Sequence, residues 1–139
     1  MRYISQIYGR IFSILFVKYQ EMKGNRMRED IKINERAAAL SDQLIAVLES
    51  VYDPEIELDI YNLGLVYEIH LDEQGLCTVT MTFTDAGCSC ADTLPIDLVA
   101  ALKKIEGIED ARVEVVWSPV WKMTRISRIG RITLGISPR

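Results

Sequence analysis

From Asn34 onward, apolar residues recur at three- and four-residue steps: Ala38, Leu40, Leu44, Ile45, Leu48 and Val51. That spacing predicts an amphipathic helix, with Asn34 as its N-cap and Glu35 in the first turn. Tyr52-Asp53-Pro54-Glu55 stops it, because proline bars the α region to the residue before it. Residues 56–62 read as a loop or short turn, and Gly64 breaks the chain before the period changes. Leu65, Tyr67, Ile69 and Leu71 then alternate with Val66, Glu68 and His70, the mark of a half-buried strand. Asp72-Glu73-Gln74-Gly75 reads as a hairpin turn. The return strand sets Cys77, Val79, Met81 and Phe83 on one face and Thr78, Thr80, Thr82 and Thr84 on the other.

Helical spacing returns with Ala91, Leu94, Leu98, Ala101, Leu102 and Ile105, and Gly107 ends it. Pro95 belongs near a first turn, so the regular helix is expected to begin close to Thr93, after a tighter turn holding Cys88. Ala111, Val113, Val115 and Trp117 form a third alternating strand. Ile126, Ile129 and Ile132 suggest a short closing helix, with Arg125, Arg128 and Arg131 on a face of their own. Such charge runs are usually solvated; a docking face is the sharper reading. The expected fold class is α+β: a compact two-layer sandwich, with a small three-stranded mixed sheet (hairpin plus one strand) and helices packed on one face.

Residues 31–139 read as one domain and residues 1–30 as an N-terminal extension. The apolar run Ile11-Phe12-Ser13-Ile14-Leu15-Phe16-Val17 falls short of the roughly 20 residues that a membrane-spanning helix needs. No small-residue cleavage site follows it. Met22 and Met27 are alternative starts, a helix packed on the domain or a partner is the next reading, and a membrane-surface helix is the least favoured. No membrane association is expected.

Charge sharpens this picture. The net charge of -4 hides an asymmetry: residues 1–26 carry +4, residues 27–119 carry -13 and residues 120–139 carry +5. A body this acidic repels phosphate, which argues against nucleic acid as its main partner. Three cysteines are too few for the framework of a small secreted domain. Cys88 and Cys90 are too close in sequence for an ordinary structural staple, so free thiols in a reducing cytoplasm are expected.

The chemistry concentrates where the second strand runs into the second long helix, at residues 82–93. A thiol just ahead of a helix N-terminus lies among unpaired N–H groups at the positive end of the dipole, which favours the thiolate. Cys88 occupies that position as a candidate reactive or metal-binding thiolate, against the plainer reading of a small core hydrophobe. Cys90 reads equally as a second ligand, a resolving thiol or packing. Cys-x-Cys alone does not complete a tetrahedral set, so a second subunit or a client protein would have to supply the missing ligands. Cys77, in register with Val79 and Met81, reads as core. Asp53 and Glu55 flank Pro54 and locally read as helix-terminating carboxylates. His70 falls on the polar face of its strand. No phosphate-binding glycine loop and no nucleophile elbow is present.

Several stretches together resemble the PaaD/SufT-type iron–sulfur cluster assembly domain. They are Asp53-Pro54-Glu55, Asn62-Leu63-Gly64-Leu65-Val66-Tyr67, Thr84-x-x-x-Cys88 with Gly87, Ala91-Asp92-Thr93, and Val116-Trp117-Ser118-Pro119-Val120-Trp121. The resemblance spans about residues 35–135. It implies a factor that assists assembly or delivery of an iron–sulfur cluster to client apoproteins through a thiolate at Cys88, as adaptor or carrier and not as catalyst. Asp53 and Thr84, with Glu55 beside them, would be the supporting shell. Cys88 would be the metal-binding thiolate, a transient cluster or iron the cargo, and the assembly machinery and its clients the partners. The Cys-x-Cys spacing adds Cys90 as an auxiliary metal ligand or resolving thiol, and the incomplete ligand set adds a second copy of the chain as a further partner. Two departures stand out: Ser89-Cys90 replaces the usual proline after the cysteine, and arginines replace the usual acidic residues of the C-terminal helix. The competing class is a thiol-dependent enzyme, peroxidase-like or acyl-transferring, with Cys88 as nucleophile.

Overall fold

The computed structural model describes residues 26–137; the expectations for residues 1–25 fall outside them. Met27 is buried in the core. Beyond it run β1 (Lys32–Ile33), α1 (Glu35–Ala38), α2 (Ser41–Ser50), β2 (Tyr52–Asp53), β3 (Leu58–Asp59) and α3 (Ile60–Leu63). Then come β4 (Val66–Leu71), β5 (Leu76–Met81), α4 (Cys90–Leu102), β6 (Asp110–Val115), a 3₁₀ turn (Met123–Arg125) and α5 (Arg128–Leu134). The class is α+β, as expected.

The main sheet has four strands in the order β1-β4-β5-β6, not three. The added strand, β1, pairs parallel with β4 through Lys32 opposite Glu68 and Ile33 opposite Ile69. Two residues are too short to print an alternation, which is why periodicity misses it. β4 and β5 form the expected antiparallel hairpin, with Leu71 opposite Cys77. β6 runs parallel to β5, from Leu76 opposite Asp110 to Met81 opposite Val115. A parallel neighbour requires a long crossover, and α4 supplies it.

The N-terminal helix is broken where one continuous helix is expected. Asn34 is tied down twice: its Oδ1 accepts from the N–H of Ala37 and of Leu71, and its Nδ2 donates to the Leu71 carbonyl. These bonds lock the first turn to the end of β4. Leu40 N–H then bonds back to the Ala37 carbonyl, three residues away, and this tighter step re-aims the chain into α2. Leu44 and Leu48 of α2, Leu98 and Leu102 of α4, and Cys77, Val79 and Met81 of β5 are fully buried in one core. The exposed edge and open face of the sheet carry His70, Arg112 and Glu114.

The β4 alternation departs from expectation at its start. Its pairing with β5 is irregular between Val66 and Glu68, so Leu65 and Val66 are both fully buried. Tyr67 is turned aside: its hydroxyl donates to the Pro119 carbonyl and its ring lies 4.5 Å beneath the Arg125 guanidinium. Burial pushes the Tyr67 phenol pKa up, and the Arg125 charge opposes that shift. Arg125 is therefore not one of a row of solvated arginines. Its Nε donates to the Gly64 carbonyl at 2.7 Å and its Nη2 to the Val66 carbonyl at 3.1 Å. Arg128 and Ile129 stay exposed on α5.

Candidate metal–thiol site

Three pieces of backbone converge on the start of α4. The first is the loop after β5. There Asp85 Oδ1 accepts from the Gly87 N–H at 3.0 Å, and the Cys88 N–H bonds to the Asp85 carbonyl. This turn delivers Cys88 to the head of the helix. The second is the first turn of α4, which begins at Cys90 and not near Thr93. Ala91 N–H bonds to the Cys88 carbonyl and Asp92 N–H to the Ser89 carbonyl, both three residues back. The opening turn is thus tighter than α, as Pro95 implies, although the helix takes it in without a break.

That tight turn brings the Cα atoms of Cys88 and Cys90 to 5.3 Å, and the two sulfurs are joined in a disulfide. The distance lies within ordinary bridging range. Free thiols at both positions, as expected from sequence, are therefore not what the structure holds. Spacing in sequence argued against a staple, but a three-residue turn at a helix start removes that objection. The Cys90 N–H also points at Cys88 Sγ, at 3.3 Å.

The third piece is the acidic turn. β2 and β3 pair as a small antiparallel ribbon, with Asp53 opposite Leu58. Asp53 is fully buried, and its Oδ1 accepts from the N–H of Glu55 at 2.8 Å and of Ile56 at 3.2 Å. The local reading of a solvated, helix-ending carboxylate is therefore wrong for Asp53. Its other oxygen, Oδ2, is buried and has no hydrogen-bond partner among the described residues. Leaving such an atom bare costs about 1–3 kcal/mol, more when it is charged. One ligand atom from each of Asp53, Cys88 and Cys90 lies within 4.8 Å of the other two. One carboxylate oxygen and two sulfurs are a donor set suited to a borderline transition-metal ion.

The other expected residues are less intimate. Glu55 is exposed and meets Asp53 through its backbone N–H. Thr84 is half-buried in the loop leading to Cys88. An open groove of about 470 Å³ runs past the site, lined by Tyr52, Pro54, Cys90, Thr93, Leu94 and Asp97. Both cysteines are nearly buried, and the groove gives Cys90 its access to solvent.

Cys77 is core, as expected, with burial pushing its pKa up to about 11. At pH 8 the folded protein should leave Cys77 unalkylated by iodoacetamide, and urea should expose it. Labelling of Cys77 in the native state, read by peptide mass spectrometry, would contradict this packing.

Residues 41–115 match the iron–sulfur cluster assembly protein family. The chain is 42% identical over 98 residues to the iron–sulfur protein maturation auxiliary factor YitW of Bacillus subtilis, covering 70% of this chain and 96% of that one. It is 44% identical over 87 residues to the maturation auxiliary factor SufT of Staphylococcus aureus, covering 63% of this chain and 99% of that one. Among solved structures, a domain of unknown function from Bacillus anthracis superposes with a TM-score of 0.68 at 40% identity, covering 75% of this chain and all of that one. A conserved hypothetical protein of Thermotoga maritima gives a TM-score of 0.59 at 34% identity, over 76% of this chain and 97% of the other. The chain belongs to the iron–sulfur cluster assembly protein family.

Proposed function

We propose that this protein matures iron–sulfur proteins by presenting the Cys88 sulfur to iron or to a nascent cluster on its way to a client apoprotein. Asp53 is the buried carboxylate that faces that sulfur, and Thr84 and Glu55 shape the loops on either side. The observation that carries this reading is the fully buried Asp53 carboxylate, which keeps one oxygen unpartnered and brings an oxygen within 4.8 Å of both sulfurs at the head of α4. Nothing in ordinary structural need calls for a buried, half-satisfied carboxylate there. The relatives named as maturation auxiliary factors match almost end to end, which supports the same role here.

The protein acts in this reading as an adaptor or carrier in the cytoplasm, handling the cluster as cargo. The site offers three donor atoms, so a client or a second copy supplies what remains of the coordination sphere. A thiol enzyme of the cysteine–histidine kind would need an imidazole near Cys88, and the sole histidine, His70, is exposed on β4 opposite Thr78.

The test is a Cys88→Ser variant expressed in cells lacking the native protein. The variant should accumulate as folded protein, while iron–sulfur client enzymes fall to the activity seen without it. Full client activity in the variant would remove Cys88 from the function.

A further inference from the structure

The expected chemistry of the site needs thiolates, and the structure holds a disulfide in their place. We propose that Asp53 Oδ2, Cys88 Sγ and Cys90 Sγ form a three-ligand site for one ferrous ion, and that a dithiol reductant opens it by reducing the Cys88–Cys90 disulfide. The proposal deepens the maturation reading and rests on it for the ion's destination, not for its binding.

Charge makes the case. In the disulfide form the pocket holds one ionisable oxygen pair, Asp53, with Oδ1 satisfied by two N–H groups and Oδ2 left bare. Reduction places two thiols beside that carboxylate, one oxygen of which lies within 4.8 Å of both sulfurs, in a space where Asp53 is 0%, Cys90 2% and Cys88 6% exposed. A pocket this dry offers the carboxylate little water, so a partner for it must be held among these three side chains. A divalent cation is such a partner: it takes the place of the two thiol protons, binds Oδ2 and both sulfurs together, and leaves a single negative charge on the group. The N–H of Cys90, already aimed at Cys88 Sγ, and the positive end of α4 favour that remaining charge. Oδ2 is held ready, since Oδ1 and the short β2–β3 ribbon fix the carboxylate.

The chemistry balances. The dithiol gives two electrons and two protons to the Cys88–Cys90 bond and leaves as its own disulfide. Metal binding then releases the two thiol protons to solvent. The groove at Cys90 provides the access route and a place for a fourth ligand from outside the chain, with Asp97 at its wall. Cys90 is thereby a ligand in its own right and also the resolving partner that caps Cys88 when no metal is bound.

Co²⁺ is the probe, titrated anaerobically into the full chain after reduction with a dithiol and its removal by gel filtration. The reduced protein should bind one Co²⁺ per chain, with a near-ultraviolet thiolate-to-cobalt band and visible bands of a four-coordinate ion. Fe²⁺, the weaker binder of the two, should compete with it when in excess, and X-ray absorption should count two sulfurs per metal. The oxidised protein should give no such band. Asp53→Asn, checked for folding by circular dichroism, should weaken Co²⁺ binding at least about tenfold, the lower end of what even an outer-shell partner contributes. Absence of the band in reduced wild type, equal binding by the oxidised form, a single sulfur, or unchanged affinity in folded Asp53→Asn overturns the site. If Asp53→Asn does not fold, the reduced and oxidised wild-type spectra and the sulfur count decide alone. Failure here with client enzymes still dependent on Cys88 sinks the metal site and spares the maturation role. Cobalt binding with clients indifferent to Cys88→Ser does the reverse.

Discussion

Replacing Arg125 with alanine should lower stability by about 3 kcal/mol in urea unfolding. The side chain is mostly buried and donates to the carbonyls of Gly64 and Val66, while its guanidinium covers the Tyr67 ring at 4.5 Å. Charged hydrogen bonds of this kind contribute about 1.5–3 kcal/mol each, and the stacking adds about 0.5–1 kcal/mol or more. Partial access of water to the bared carbonyls recovers some of that sum. The ion pair with Asp30, at 3.5 Å and partly exposed, contributes little. Lysine at 125 should restore only a small part, since it lacks the planar fork that reaches both carbonyls and lies flat on the ring. A loss under about 1 kcal/mol in the alanine variant would show that the cluster is surface decoration, a level typical of exposed ion pairs.

The second large effect falls on the same junction from its other side. Gly64 caps α3 with φ +77°, and a Cβ there would stand 2.5 Å from the Arg125 carbonyl oxygen and 2.8 Å from its Cβ. Gly64→Ala should therefore cost about 3 kcal/mol. The left-handed backbone accounts for roughly 1 kcal/mol and the overlap for about 1–3 kcal/mol. The crowding atom is backbone, held in place by the Arg28 guanidinium, whose Nη2 donates to that carbonyl oxygen at 2.6 Å. It cannot swing away as a side-chain tip would. Because both substitutions damage one contact, the double variant should lose less than the sum of the two. Full additivity would mean that Gly64 and Arg125 act separately.

Much of the fold could be read from the chain. The hairpin, the α4 crossover and the parallel return of β6 follow from alternation and helical spacing, each repeated over six or more residues. What escaped lacks a period. β1 is two residues long, and the break between α1 and α2 depends on Asn34 reaching Leu71, 37 positions away. Tyr67 looks inward by parity and is turned aside by an irregularity that composition does not announce. Arg125 shares spacing with Arg128 and Arg131, yet only its place against α3 and β4 makes it structural. At the site, the helix-start position singled out Cys88, and the family resemblance brought in Asp53. Local sequence alone would have left that carboxylate in solvent, because burial here comes from the tertiary packing of the β2–β3 ribbon, whose β3 lies against α2, α3 and α5. The Cys88–Cys90 bond was hidden for a different reason: sequence separation says nothing of how tightly a helix begins.

Arg28 and Arg125 sit near opposite ends of the described chain, and their guanidinium groups bind the backbone around α3 between them: Arg28 to Tyr61 and to residue 125 itself, Arg125 to Gly64 and Val66. This closure imposes an order on biosynthesis. The carbonyls of Tyr61, Gly64 and Val66 emerge from the ribosome some 60 residues before Arg125 does. Until that arginine is out, the strand that opens the hairpin has its entrance unfastened, however well the hairpin itself has paired. A chain interrupted ahead of residue 125 would carry the cysteines and the acidic turn, but would lack the fastening of α3 to β4 that Arg125 supplies.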